Sequence, residues 1–327
     1  CIIAESVGTA DICGRSREAG TNGTARAEFP QPATVGRKGR EMRDQTRDKV
    51  TAPKVRAAKG GPKLKMITAY DAPSARIAEA AGADIILVGD SLANVVLGRE
   101  TTLTVTVDDM VHHTRAVSGT KPAALVVGDM PWLSYHVSVE ETVRNAGRFI
   151  REGGAESVKL EGGRKRLPMI EAVLDAEIPV MGHLGLTPQS VNAMGGYRVQ
   201  GKQLEPARAL IADAQALDEA GVFSIVLEGV PDVLAELITK EVSVPTIGIG
   251  AGGKVDGQVL VFHDLLGLGS GHVAKFVRQY ADLNAIAVDA VQRWFHDVET
   301  GEFPSDDETY HMPDEVARAL LSDPGKG

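Results

Sequence analysis

Residues 64–91 read LKMITAYDAPSARIAEAAGADIILVGDS, and this stretch decides the fold. Lys65–Ala69 and Asp84–Val88 are short apolar runs carrying β-branched residues, the signature of buried strands. Between them, Pro73–Ala81 repeats Ala and Ile at spacings of three and four, and Gly82 follows where a helix exit favours glycine. The stretch is therefore one strand–helix–strand unit, and such a unit places its two strands parallel.

The same rhythm continues down the chain. Further strands are expected at Ala123–Gly128, Ser157–Leu160, Pro179–Gly182, Phe223–Leu227, Pro245–Ile249 and Gln258–Phe262. Helices are expected at Val107–Ser118, Ser138–Glu152, Arg164–Ala176, Pro206–Ala220 and Pro231–Lys240. Eight strands with intervening helices predict an α/β fold of the (β/α)8 TIM-barrel class; a doubly wound open sheet is the alternative. The eighth strand carries the weakest pattern. Beyond it, Ala274–Thr300 reads as a long helical region, and a short helix is expected near Pro313–Leu321.

Charge and composition divide the chain. Residues 1–65 hold 14 Lys and Arg against 7 Asp and Glu, an excess of seven positive charges; with the whole chain at −9, the remainder stands at −16. Residues 1–60 have no sustained apolar period and are expected to be a disordered or non-native extension. Residues 61–305 form the expected barrel with C-terminal helices, and 306–327 a polar tail. The acidic body disfavours nucleic acid and anionic membrane as partners. No apolar run reaches the ~18 residues of a membrane span. Both cysteines, Cys1 and Cys13, precede the barrel, so it holds no thiol nucleophile, disulfide or Cys-based zinc site.

Barrel chemistry gathers where strands end at their C-terminal face. The expected ends carry Asp71, Asp90-Ser91, Asp129, Lys159 with Glu161, His183 and Glu228, most of them beside glycine. A loop entering a helix often begins with Asp or Ser as a cap, which accounts for some of the acids. Lys159, His183 and Glu228 are poor caps and call for another explanation. Asp90, Asp129 and Glu161 offer hard oxygen donors from neighbouring strands, a set that favours Mg2+ or Mn2+ over zinc, with Glu161 acting directly or through water. Lys159 shares a strand face with Glu161; it is a structural ion-pair partner or a clamp for a substrate carboxylate. Glu228, in an apolar setting of Ile225, Val226 and Leu227, suits a general base. His183 is either a structural histidine or a group that hydrogen-bonds a developing enolate oxygen. The segment Leu184–Lys202, rich in Gly and Pro, is a candidate flap over the site.

Six segments carry a resemblance: Ile67-Thr-Ala-Tyr-Asp71, Leu87-Val-Gly-Asp-Ser91, Val158-Lys-Leu-Glu-Gly-Gly163, Gly182-His-Leu-Gly-Leu-Thr-Pro-Gln-Ser-Val-Asn192, Gly196-Tyr-Arg-Val-Gln-Gly201 and Ile247-Gly-Ile-Gly-Ala-Gly252. Together they resemble the 3-methyl-2-oxobutanoate (ketopantoate) hydroxymethyltransferases of pantothenate biosynthesis. The resemblance implies a barrel of the phosphoenolpyruvate/pyruvate type, Mg2+, 5,10-methylenetetrahydrofolate as one-carbon donor and a large homo-oligomer, commonly a decamer; the expected cytoplasmic location comes instead from the barrel's lack of cysteine, which fits a reducing cytosol. By position the resemblance implies Asp90, Asp129 and Glu161 at the metal, Asp90, Ser91, Asp129 and Lys159 at the oxo-acid, and Glu228 as proton acceptor; His183 joins the substrate-binding set on the residue reading above. Two departures are mild: Gly128 stands where that family often has Ala, and Trp132 where Phe is usual. Rival readings are a Mg-dependent lyase or aldolase acting on a related oxo-acid, and a barrel without catalysis that serves as an assembly protein.

Overall fold

The computed structural model describes residues 47–269 and 273–322. Among them, eight parallel strands close into a barrel in sequential order, β1 pairing with both β2 and β8. The chain runs α1 (Ala52–Ala57), β1 (Leu64–Thr68), α2 (Ala72–Ala80), β2 (Ile85–Val88), α3 (Leu92–Val95), α4 (Val107–Ser118), β3 (Leu125–Asp129) and α5 (Val139–Arg151). It continues through β4 (Ser157–Glu161), α6 (Leu167–Asp175), β5 (Val180–Gly185), α7 (Val191–Met194), α8 (Leu204–Ala220), β6 (Ser224–Glu228), α9 (Asp232–Glu241), β7 (Thr246–Ile249) and β8 (Gly257–Leu260). Three helices follow: α10 (Phe262–Leu266), α11 (Leu283–Thr300) and α12 (Asp314–Ser322). No described helix is long and apolar enough to cross a membrane.

Period two decides what each strand shows to the inside. Leu125 and Val127 of β3, Met181 of β5, Val226 of β6 and Ile247 and Ile249 of β7 share one interior cluster. Their neighbours Val126, Val158, Leu160, Ile225 and Leu227 instead pack outward with Phe149, Ile170, Leu217 and Ile238 of the helices. Strands buried on both faces need the near-continuous apolar runs seen in the sequence.

Helix starts follow local chemistry. Asp71 caps α2 and Thr106 caps α4, each in a reciprocal box with the third helical residue, Ser74 and Asp109. Gly128 of β3 lies under the ring of Phe149 on α5, and a Cβ there would overlap Phe149 Cδ1. Glycine at this position is thus a packing requirement.

The expected loose extension needs correction over residues 47–60; residues 1–46, including Cys1 and Cys13, lie outside the described residues. Thr51 caps α1, and Val55 is fully buried in the interior cluster with Leu64 and Phe223, plugging the N-terminal end of the barrel. The basic residues expected to be solvated have partners among oxygens at that end. Lys49 Nζ donates to Ala124 O at 2.7 Å and to Glu156 at 2.5 Å, and Lys59 Nζ reaches Asp256 at 3.0 Å. Four strands run further than expected: β5 continues to Gly185, so His183 lies within it, and β3, β4 and β6 extend to Asp129, Glu161 and Glu228, while β1 and β8 stop earlier, at Thr68 and Leu260.

Candidate active site

The inward parity that fills the barrel with Val127, Met181 and Val226 continues upward as Asp129, His183 and Glu228, two residues on in each strand. Lys159 and Glu161 occupy the same face of β4. The polar group is therefore the top layer of the barrel interior. Register brings it together: Asp129 pairs with Lys159, Glu161 with His183, and Gly185 with Glu228. At Gly185, φ is +96°, and a Cβ would overlap Glu228 O, so glycine lets β5 turn away directly against β6. Leu186 N–H then donates to Glu228 O at 2.7 Å.

All seven residues expected at the site, Asp90, Ser91, Asp129, Lys159, Glu161, His183 and Glu228, line one cavity that opens to solvent. Lys159 Nζ lies 2.9 Å from Asp129 Oδ1, and Asp90 N–H donates to Asp129 Oδ2 at 3.1 Å. His183 bridges the two halves of the site. Its Nδ1 lies 3.4 Å from Glu161 Oε1 and its Nε2 3.3 Å from Glu228 Oε2. The expected apolar surround of Glu228 is only partly there, because Ile225 and Leu227 face the helices and Val226 alone of the three lines the cavity.

These groups set one another's protonation. Burial pushes the Asp90 carboxyl well above the usual range, and the Asp129 and Glu161 carboxylates push it further, against Lys159 and Gln189. Burial alone would discharge Lys159, but Asp129, Glu161 and Asp90 hold its ammonium more firmly charged than usual. Burial and Lys159 likewise press His183 toward neutrality; Glu161 and Glu228 outweigh them and push its pKa up to about 9. The 3.2 Å approach of Lys159 Nζ to His183 Nδ1 is a hydrogen bond only when that nitrogen is unprotonated. With the ring charged, its two N–H groups face Glu161 and Glu228, and the Lys159 protons turn to Asp129.

Four acidic side chains, Asp90, Asp129, Glu161 and Glu228, thus share a buried layer with only Lys159 and His183, so acids outnumber bases there. Glu161 Oε1 is buried without a hydrogen-bond partner. This donor set fits a divalent, oxygen-seeking cation. Among the described residues no three His, Cys, Asp or Glu side chains close on one point as a ready-made cage.

Four residues escaped the sequence reading. Gln189, in the 3-10 turn Pro188–Ser190 after β5, donates from Nε2 to Asp90 Oδ2 at 3.0 Å. Tyr135 OH donates to Gln189 Oε1 at 2.6 Å. Tyr70 OH lies 2.8 Å from Ser91 Oγ. Tyr197, from the expected flap, lines the cavity, and burial and the site acids push its phenol up. Tyr70, Gln189 and Tyr197 had no readable signal beyond membership of quoted motifs and Tyr135 had none at all, because a neutral amide or phenol follows no strand-end pattern. Leu87, Val226, Ile249, Val259 and Val261 supply the apolar part of the same lining. Among the described residues, the histidines outside the strand ends stay outside the cavity lining; His113 Nδ1, for instance, lies 2.7 Å from Tyr70 O.

Comparison with known proteins follows this geometry. The sequence model of a family described as ketopantoate hydroxymethyltransferase matches residues 49–306. The 3-methyl-2-oxobutanoate hydroxymethyltransferase of Koribacter versatilis is 56% identical over 257 residues, 79% of this chain and 87% of that one. That of Syntrophomonas wolfei is 56% identical over 258 residues, covering 79% and 94%. Among solved structures, phosphonopyruvate hydrolase superposes with a TM-score of 0.52 at 15% identity, covering 85% of this chain and 96% of that one. A complex of phosphonopyruvate hydrolase with oxalate and Mg2+ gives 0.51 at 15%, covering 83% and 98%. These two likenesses concern the barrel alone.

Proposed function

The chain belongs to the ketopantoate hydroxymethyltransferase family, and on that footing we propose that it transfers a hydroxymethyl group from 5,10-methylenetetrahydrofolate to 3-methyl-2-oxobutanoate, giving 2-dehydropantoate and tetrahydrofolate. The observation that carries the reading is the division of one cavity into an acid cluster on β2–β4 and a Glu228–His183 pair facing it.

Asp90 and Asp129 would hold Mg2+, with Glu161 at the same site directly or through water. Bound there, Mg2+ supplies Lewis-acid stabilisation of the negative charge that grows on the keto oxygen as C3 loses its proton. Lys159, kept charged by its acidic neighbours, orients the substrate carboxylate, and Ser91, steadied by Tyr70, offers a hydroxyl to the same oxygens. The apolar part of the lining accepts the branched alkyl end and turns C3 toward β6. Glu228 takes the C3 proton, and His183 at 3.3 Å fixes the carboxylate and compensates its charge. Water cleaves both bonds from the one-carbon unit to the two folate nitrogens, which keep the water's protons as tetrahydrofolate. The enolate carbon adds to the aldehyde-level carbon so released, and its oxygen, which came from water, takes up the proton that Glu228 removed to become the hydroxyl. Tyr197 and the segment around it screen these steps from bulk solvent.

A homo-oligomer in the cytoplasm, a decamer by the family's habit, completes the proposal. The 18-residue helix α11 supports association: none of its residues is buried, and Ile286, Trp294 and Phe295 stand about half exposed or more. A second copy of the chain is the natural cover for that face.

The test follows hydrogen exchange at C3 of 3-methyl-2-oxobutanoate in deuterated water without folate. Wild type should exchange C3 only with Mg2+ present. Glu228→Gln should slow exchange by about 10²–10⁴-fold; exchange at the wild-type rate would remove Glu228 from its role.

A further inference from the structure

Gln189 is bound through its backbone N–H and through both polar atoms of its side chain, and each of these bonds ends on the acid cluster or its support. Its backbone N–H donates to Glu161 Oε2 at 3.1 Å. Side-chain Nε2 gives one proton to Asp90 Oδ2 at 3.0 Å and the other to Met130 O at 2.9 Å, the carbonyl that follows Asp129. Oε1 accepts from Tyr135 OH, whose oxygen accepts in turn from Glu161 N–H at 3.2 Å. The amide can sit only one way round, since a flip would set Oε1 against a carboxylate and a carbonyl. Gln189 is 4% exposed and Tyr135 is fully buried, so water replaces none of these bonds.

The pattern of oxygens gives this network a purpose. Asp90 Oδ2 and Glu161 Oε2 are both taken by Gln189. Each acid keeps a second oxygen that Gln189 does not hold; that of Glu161, Oε1, is buried and makes no hydrogen bond closer than the 3.4 Å approach of His183 Nδ1. We infer that Gln189, braced by Tyr135, is a positioning residue that selects which oxygen of Asp90 and of Glu161 faces the cation, and so sets the enzyme's divalent-metal affinity. The inference rests on the proposal that these acids hold a divalent cation. Gln189 itself would touch neither metal nor substrate.

The experiment titrates Mn2+ into the full-length protein and counts free Mn2+ by its electron paramagnetic resonance signal. Wild type, Gln189→Leu, Tyr135→Phe and the double variant are compared. Loss of an outer partner of a metal ligand commonly weakens binding about 10–100-fold. Gln189→Leu should therefore raise the Mn2+ Kd at least about tenfold. Tyr135→Phe, which removes only the brace, should raise it about three- to tenfold. The double variant should match Gln189→Leu, because both substitutions break one unit. In turnover, the Mg2+ concentration for half-maximal rate should rise in step, while kcat at saturating Mg2+ stays within about threefold, a split that general damage would not produce. A Kd within about twofold of wild type in either single variant, or multiplicative effects in the double, would overturn the inference. Should Gln189→Leu fail to fold, Tyr135→Phe alone decides by the same threshold. Wild type that binds no Mn2+ would sink the metal reading itself, and the clamp with it.

Discussion

Substituting Gly128 by alanine places one methyl group where it cannot fit, and the consequence should reach the active site. The Cβ would overlap Phe149 Cδ1 and come within 3.1 Å of Cε1 and 3.3 Å of Cγ. Phe149 is fully buried, with Ala146 and Val126 in the same packed cluster, so its ring has no free volume to enter. Overpacking of this kind costs about 1–3 kcal/mol. For a chain of this size that is a fall in Tm of about 2–6 °C, read by circular dichroism at one fixed protein concentration. Relief by movement of β3 displaces the next residue, Asp129, and with it the 2.9 Å contact to Lys159 and the 3.1 Å bond from Asp90 N–H. The Mg2+ requirement for turnover should rise accordingly. Phe149→Leu alone should cost about 1–2 kcal/mol, a fraction of the ~3–5 kcal/mol of a Phe-to-Ala truncation. The double variant should melt at least ~2 °C above the sum of the two separate losses, since Leu leaves room for the new methyl. Relatives with alanine at this position should likewise carry a smaller side chain where Phe149 stands. A Gly128→Ala protein that melts within ~1 °C of wild type, or strictly additive losses, would refute the packing explanation.

Two further predictions concern the ends of the molecule. Asp256 accepts from Thr246 N–H at 2.9 Å, Lys59 Nζ at 3.0 Å and Gly60 N–H at 3.1 Å, joining the N-terminal segment to β7 and β8. Burial would raise its pKa, but these donors outweigh burial and lower it; the stability they lend is complete above the unfolded carboxylate pKa of ~4 and fades as pH falls through the lower folded value. Asp256→Asn should cost about 2–3 kcal/mol at pH 7, and urea titrations should show the gap to wild type closing below about pH 4; a gap independent of pH would contradict the assignment. At the other end, replacing Trp294 and Phe295 together by serine should raise the concentration for half-dissociation at least ~10-fold, each buried aromatic contributing about 1.5–3 kcal/mol. Light scattering that finds wild type already monomeric, or the variant unchanged, would remove α11 from the interface.

Which features were legible follows from how local their causes are. The capping boxes of α2 and α4 are three-residue signals, and both helices lie within a residue of expectation. The site acids were legible because a parallel barrel gathers its chemistry at one rim and period two then fixes which side chains point inward. His183 was assigned to a loop because Gly182 reads as a strand end. In the folded chain Gly182 instead makes room for Leu217 of α8, and the real turn comes at Gly185 beside Glu228. That distinction depends on a partner 35 positions away and leaves no local trace. Residues 47–60 were misread for a related reason. Their anchors are mainly backbone carbonyls and acids at the barrel's lower end, such as Ala124 O, Glu156 and Asp256, and a basic segment looks solvated until those oxygens are assembled. Gln189 is the extreme case. Its four bonds reach Asp90, Met130, Tyr135 and Glu161, drawn from three other strand–loop connections. A charged rim is predictable residue by residue; the neutral group that orients it exists as a functional element only once the barrel closes.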